Sequence, residues 1–278
     1  MSFVETRCVA GVPRIAVDVA GHGPGLPVVL LHGIGGNRSN WREDLPAIAR
    51  GRQVLALDAR GYGDSDDYDG DVTVQTLGAD VLRVLDAFSL ERAVLVGLSL
   101  GASVALETAM LAPERTPGLV LIAAAPLLSE SLSEAQRQAF IASRQAPLLE
   151  GASLEDIAPT VAASLMGPAA DAAVRERLEA SIAALHRDAY LKTIAASFRY
   201  APTQPLETIA CPTLVLHGTA DPLVPPSVAQ ATAAAIPGAR LRLLEGVGHL
   251  LNFEAPEAFR DALNQFLTAL EAGGSSRR

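Results

Sequence analysis

The sequence predicts an α/β fold: a mostly parallel eight-stranded sheet with helices on both faces and an inserted helical cap. Three observations predict it. Short continuous apolar runs, such as Val28-Val29-Leu30-Leu31 and Leu119-Val120-Leu121-Ile122-Ala123, read as strands buried on both faces. These runs alternate with stretches of helical periodicity, the pattern of parallel strands joined by crossover helices. The alternation stops at about Pro126 and resumes at about Pro205, and the stretch between carries helical patterns and no convincing strand. The expected organisation is therefore an α/β core of residues 1–126 and 206–278, with residues 127–205 as the cap.

Each element follows in order. Residues 3–19 alternate weakly around Gly11-Val12-Pro13 and read as an opening hairpin. After the 28–31 strand comes a glycine-rich loop, His32-Gly33-Ile34-Gly35-Gly36, then a helix carrying Trp41, Leu45, Ile48 and Ala49. Gln53 to Leu57 is a strand ending at Asp58, and residues 73–88 hold Leu77, Val81, Leu82, Leu85 and Phe88 at helical spacing. Ala93 to Val96 is a strand and Ala102 to Leu111 a helix. Within the cap, helices are expected over Glu134–Arg144, Ala172–Leu185 and Tyr190–Arg199, broken at Gly151, Gly167-Pro168 and Ala201-Pro202. Thr213–Leu216 and Arg240–Leu244 are the last strands. Ser227 is expected to cap a helix reaching Ile236. Pro256–Leu270 is the final helix, and the tail 273–278 is expected to be disordered.

Composition narrows the function classes. At 278 residues with 49% hydrophobic and 19% charged, the chain can bury a large core. A net charge of −9 opposes nucleic acid and anionic membrane as partners, since both require a basic footprint. Cys8 and Cys211 have no metal-ligand spacing and imply no disulfide framework. Met1 to Arg7 lacks the basic and apolar segments of a signal peptide, and no run is long enough to span a bilayer. A cytoplasmic protein is expected, with no metal and no organic cofactor, and homo-oligomerisation is left open.

Gly97-Leu98-Ser99-Leu100-Gly101 carries the chemistry. Between a buried strand and a helix this G-x-S-x-G pattern reads as a nucleophile elbow, with Ser99 exposed on a tight turn. A serine hydroxyl needs a base, and the base needs an orienting acid. Both partners belong at the carboxyl ends of later strands. Asp221 follows the 213–216 strand and His249 follows the 240–244 strand, so they fit best as acid and base. His22 reads as solvated, His32 and His217 as loop-shaping, and His186 as a candidate substrate contact. Asp58 precedes the serine and Glu245 is expected to point along its own strand, so both are weaker acids for the role. An oxyanion requires two fixed N–H donors, and Leu100 and Ile34 are the candidates. The glycine-rich loop lacks both the G-x-G-x-x-G spacing and a Walker lysine, which sets phosphate binding aside. Arg60 is expected to bind backbone carbonyls and Trp41 to pack the first helix. Met166, Phe140, Phe198 and Tyr190 can line a pocket, with core packing as the default for each.

These residues together resemble the α/β-hydrolase superfamily: Leu31-His32-Gly33, Asp58 to Ser65, Gly97 to Gly101, Leu216 to Asp221 and Gly248-His249. The segment His249 to Phe259 is similar to that of 3-oxoadipate enol-lactonases. The resemblance implies a serine hydrolase of a small-molecule ester or lactone. In relatives that hydrolyse carbon–carbon bonds of ring-cleavage products a tryptophan often follows the histidine; here Leu250 stands there. That class, an acyltransferase or perhydrolase, and a non-catalytic ligand-binding protein are the competing readings.

Overall fold

The computed structural model describes residues 4–126, 133–168 and 170–275. The opening hairpin is β1 (Val4–Val9) and β2 (Ile15–Ala20), paired antiparallel. β3 (Val28–Leu31), β4 (Val54–Leu57), β5 (Val94–Leu98), β6 (Leu119–Ile122), β7 (Thr213–Gly218) and β8 (Arg240–Leu244) complete one sheet of eight strands. Their spatial order is β1-β2-β4-β3-β5-β6-β7-β8, and every pair from β4 to β8 is parallel.

Alternation along these strands builds two cores. Val28, Leu30, Val94, Val96, Val120 and Ile122 point to one face, where Trp41, Phe259 and Leu263 pack. Val29, Leu31, Leu95, Leu119 and Leu121 point to the other, against α2 (Val74–Ala87) and α3 (Leu100–Leu111). Each such side chain removed from water contributes about 1.5–3 kcal/mol, so the central strands are fixed in register by both faces at once.

Between β6 and β7 lie α4 (Glu134–Leu149), α5 (Leu154–Ala163), α6 (Ala172–Ala183) and α7 (Arg187–Arg199), the helices of the inserted cap. Ile141, Leu148, Leu178, Ile182 and Ile194 of these helices join the first core. α5 is an element the sequence reading did not isolate. Pro159 interrupts its pattern, yet Ser153 and Asp156 form a reciprocal capping box at its start. α4 also runs past Arg144, tolerating Pro147 near its end.

Three other expectations are corrected. The helix expected around Trp41 is a 3₁₀ turn, Arg38–Trp41, followed by the single-turn α1 (Leu45–Ile48), because Asn37 caps Ser39 N–H and starts a tight turn first. Ser227 does not cap its helix. α8 (Pro226–Ala235) begins one residue earlier at a proline, whose fixed φ suits a first helical position. The final helices are the single-turn α9 (Leu251–Glu254) and α10 (Pro256–Ser275), so helix replaces the expected disorder of residues 273–275, and residues 276–278 lie outside the described residues. Among the described residues no helix is long and apolar enough to cross a membrane.

Candidate active site

Strand register brings the candidate residues to one edge of the sheet. Leu31 pairs with Gly97, so the loops after β3 and β5 leave side by side; Gly218 pairs with Leu244, which does the same for the loops after β7 and β8. The first pair of loops carries Ile34 and Ser99, the second Asp221 and His249.

Ser99 sits at φ 54°, ψ −113°, a conformation that costs a non-glycine residue on the order of 1–3 kcal/mol. The surroundings hold it there. Ser99 N–H donates to Ile122 O at 2.8 Å, anchoring the turn to β6. A Cβ at Gly97 would overlap the Gly101 carbonyl, and one at Gly101 would overlap the Leu31 carbonyl, so only glycine fits on either side. Ser99 Oγ makes no protein hydrogen bond among the described residues and faces a cavity of about 100 Å³.

His249 lines the same cavity. Its Nδ1 lies 2.7 Å from Asp221 Oδ2, and a carboxylate only accepts, so Nδ1 carries the proton. Nε2 is buried and without a partner. Asp221 Oδ1 accepts from Leu223 N–H at 2.8 Å and Val224 N–H at 3.0 Å. Burial pushes the Asp221 carboxyl up, but the His249 hydrogen bond and charge and these two backbone donors together hold it below the ordinary carboxylate value. Among the described residues, the N–H groups of Ile34 and Leu100 donate to no protein acceptor.

The remaining histidines separate cleanly. His22 is exposed. His32 donates from Nδ1 to Gly33 O at 2.8 Å and accepts Ala59 N–H at Nε2, which fixes a neutral ring; burial lowers its pKa against the charge of Asp58. His217 donates from Nε2 to Val224 O at 2.9 Å and so shapes the loop of Asp221. Burial lowers its pKa too. His186 lies outside the cavity, with Nδ1 2.7 Å from Asp67 Oδ1. Asp58 is consumed by Arg38 and the Asp64 N–H, and Glu245 is exposed. Arg60 does not bind carbonyls as expected; it grips the buried Asp80 with two hydrogen bonds of 2.7 and 2.8 Å. Trp41 packs on Phe259, ring centres 6.0 Å apart, away from the cavity.

Of the four cap residues considered, Phe140, Tyr190 and Phe198 line the cavity, and Met166 is buried outside it. Phe140 and Phe198 stack with centroids 4.2 Å apart.

Glu254 is a residue sequence reasoning missed. Its Oε2 accepts Gly167 N–H at 3.0 Å and Gly248 N–H at 2.9 Å, and its Oε1 accepts Leu250 N–H at 3.1 Å. His249 N–H itself donates to Leu165 O. One carboxylate thus ties the backbone on both sides of His249 to the cap. On the other side, Ser181 of α6 donates to Gly35 O at 2.9 Å, tying the cap to the glycine-rich loop.

Residues 28–262 match the alpha/beta hydrolase family, and the chain belongs to that family of enzymes. It is 33% identical over 250 residues to the dihydrolipoyllysine-residue acetyltransferase component of an acetoin cleaving system from Pseudomonas putida, covering 90% of this chain but 65% of that protein. It is 28% identical to a 2-hydroxymuconate semialdehyde hydrolase from Pseudomonas sp. (strain CF600), covering 94% of each. The crystal structure of a hydrolase from Pseudomonas aeruginosa PA01 superposes with a TM-score of 0.84 at 33% identity, covering 95% of this chain and 98% of that one.

Proposed function

We propose that the protein is a serine hydrolase of a small-molecule ester or lactone, working through Ser99, His249 and Asp221 and an acyl-enzyme. The observation that carries this reading is the unpartnered Nε2 of His249, a residue that lines the cavity holding the strained Ser99, while Nδ1 is locked to Asp221. His217 Nδ1 is also buried and unpartnered, but of the two histidines only His249 lines the cavity beside Ser99, where a proton can be received.

His249 Nε2 takes the Ser99 proton as Oγ attacks the substrate carbonyl. Asp221 stabilises the imidazolium, and the N–H groups of Ile34 and Leu100 receive the oxyanion. The proton passes from Nε2 to the departing alkoxide, leaving an ester on Ser99. Water then attacks that ester as His249 takes its proton, and the imidazolium returns that proton to Ser99 Oγ as the acid leaves. The cap helices α4 to α7 supply the opposite wall and with it the choice of substrate.

Two variants of this reading rest on relatives. The one named as an acetyltransferase component favours an acceptor other than water. The one named as a semialdehyde hydrolase favours carbon–carbon cleavage, against which Leu250 stands where a tryptophan often lies. The test is labelling with a fluorophosphonate, followed by turnover of graded p-nitrophenyl esters, enol lactones and ring-cleavage dienones. Ser99 should label, and esters or lactones should turn over faster than dienones. An unlabelled Ser99 would overturn the proposal.

A further inference from the structure

The glycine-rich loop is held from the cap by a hydroxyl that the mechanism does not use. Gly36 N–H donates to Gly33 O at 3.1 Å, closing a four-residue turn with Ile34 and Gly35 at its centre. Three of those four residues are glycines, whose backbone is the least restricted of any residue, so the turn has little stiffness of its own. Two side chains hold it from outside. From the core, His32 Nδ1 donates to Gly33 O at 2.8 Å. From cap helix α6, Ser181 Oγ donates to Gly35 O at 2.9 Å, and among the described residues no other group donates to that oxygen. The hydroxyl also lies 3.2 Å from Asn40 Oδ1, but it has one proton and the carbonyl is the nearer acceptor.

Ser181 is itself fixed. It is buried, and Arg177, four residues earlier on the same face of α6, pairs with Glu43 of the core at 2.9 Å and stands 4.3 Å over the Phe253 ring. A Cβ built on Gly35 would lie 3.4 Å from Ile182 Cγ1 and 3.8 Å from Leu165 Cδ1, so cap side chains cover the loop at van der Waals distance. The geometry of the peptide group carries the hold onward. A trans peptide points its C=O and its N–H to opposite sides. The peptide that offers Gly35 O to Ser181 therefore turns Gly36 N–H the other way, onto Gly33 O. The peptide that contains Gly33 O turns Ile34 N–H the other way again, and that N–H is free. The donors all run in one direction: Ser181 O–H to Gly35 C=O, Gly36 N–H to Gly33 C=O, then Ile34 N–H. In such a chain each bond polarises the next.

We propose that Ser181 is a positioning residue of the oxyanion hole: through its hydroxyl and two successive peptide groups, the docked cap aims and polarises the Ile34 N–H. This rests on the reading of Ser99 as nucleophile and Ile34 as oxyanion donor. Ser181 does not line the cavity, so it acts on the reaction only through the loop. The cap then contributes to the rate of the chemical step as well as to the choice of substrate. Because His32 still holds Gly33 O, loss of the hydroxyl weakens the donor without removing it.

The experiment compares the wild type with Ser181 variants on the best p-nitrophenyl ester of the graded panel and on two inhibitors. One is a trifluoromethyl ketone with the acyl chain of that ester; the other is the secondary alcohol of the same skeleton. Ser99 Oγ bonds to the ketone carbon, its proton passes to His249 Nε2, and the carbonyl π pair moves onto oxygen as the oxyanion; the alcohol forms none. Ser181→Ala should lower kcat about tenfold with KM within about twofold, as expected for losing one hydrogen bond behind a donor and not the donor itself. Ketone affinity should fall by the same factor, and alcohol affinity should not change. Ser181→Thr, which keeps the hydroxyl, should regain most of both losses. A lower melting temperature with kcat and ketone affinity within about threefold of the wild type overturns the proposal. So does an equal loss of ketone and alcohol affinity, because the cap would then only bind the substrate. If no ester turns over, the ketone and the rate of fluorophosphonate labelling decide in the same way. A wild type whose Ser99 does not label refutes the nucleophile reading and this proposal with it; a wild type that labels beside an unaffected Ser181→Ala refutes this proposal alone. Should Ser181→Ala fail to fold, Ser181→Cys, which fills the same space with a weak S–H donor, carries the same comparison.

Discussion

The two walls of the cavity are built by different means. On the sheet side, Ser99, Asp221 and His249 each lie within five residues of a strand end, and strand register sets where they meet. On the cap side, Phe140, Arg144, Tyr190 and Phe198 are placed by helix packing on helix, with no ladder to fix them. The first wall has steric walls of backbone around it: no side chain fits at Gly97 or Gly101. The second is made of exchangeable side chains. The proposed function therefore puts the chemistry in the part of the molecule that tolerates least change, and selectivity in the part that tolerates most.

The largest expected effect falls on the sheet wall. Ser99→Ala should lower kcat by roughly 10³-fold or more, while far-UV circular dichroism stays that of the wild type. Retention of near-wild-type turnover would erase the distinction between the two walls. Asp221→Asn should lower kcat about 10⁴-fold. Asn still accepts from Leu223 and Val224 N–H but presents an N–H₂ to His249, which drives the ring to the wrong tautomer. The same variant has a pH signature. The native Asp221 carboxyl is held below its ordinary value, so the stability it contributes is complete above the unfolded-state pKa and is lost as pH falls through the native one. The wild-type advantage in denaturant midpoint over Asp221→Asn should be constant at neutral pH and shrink in acid. An advantage that grows in acid would contradict the assigned sign.

The difference between the walls also explains what was legible in the sequence. Continuous apolar runs marked the strands to within two residues, because burial on both faces leaves no room for polar punctuation. The positions of Ser99, Asp221 and His249 just past strand ends were legible because each follows such a run. Glu254 was not: its role depends on Gly167 N–H, 87 residues away in sequence, and no local pattern announces a carboxylate that will receive three backbone donors. Arg60 misled for the same reason, since its partner Asp80 lies 20 residues on, on the next helix. Helical spacing alone gave Phe140, Phe198 and Met166 the same standing; only the packing of α4 on α7 puts the first two in the cavity and leaves the third out.

Glu254 sits where the walls join and tests whether they are independent. Glu254→Gln keeps one acceptor oxygen and loses the charge that receives Gly167, Gly248 and Leu250 N–H. Loosening the backbone beside His249 should lower kcat about tenfold with KM little changed, on the scale of one weakened charge-assisted bond. Labelling of Ser99 by fluorophosphonate should slow by the same factor, because both steps need His249 in place. A lower melting temperature with kcat and labelling intact would mean that the carboxylate only joins the cap to the core.

The smallest effect is expected at His186, which the sequence offers as a substrate contact and the structure places outside the cavity, against Asp67 of the core. Its ring is two-thirds covered, its Nδ1 meets Asp67 Oδ1 at 2.7 Å, and it opens on no part of the cavity. An exposed pair of this kind is worth about 0–1 kcal/mol, too little to move α7. His186→Ala should therefore leave kcat/KM within about twofold of the wild type on every ester in the panel. A tenfold loss in His186→Ala would show that the contact between cap and core at Asp67 is coupled to the site, and selectivity could then no longer be assigned to the residues that line the cavity.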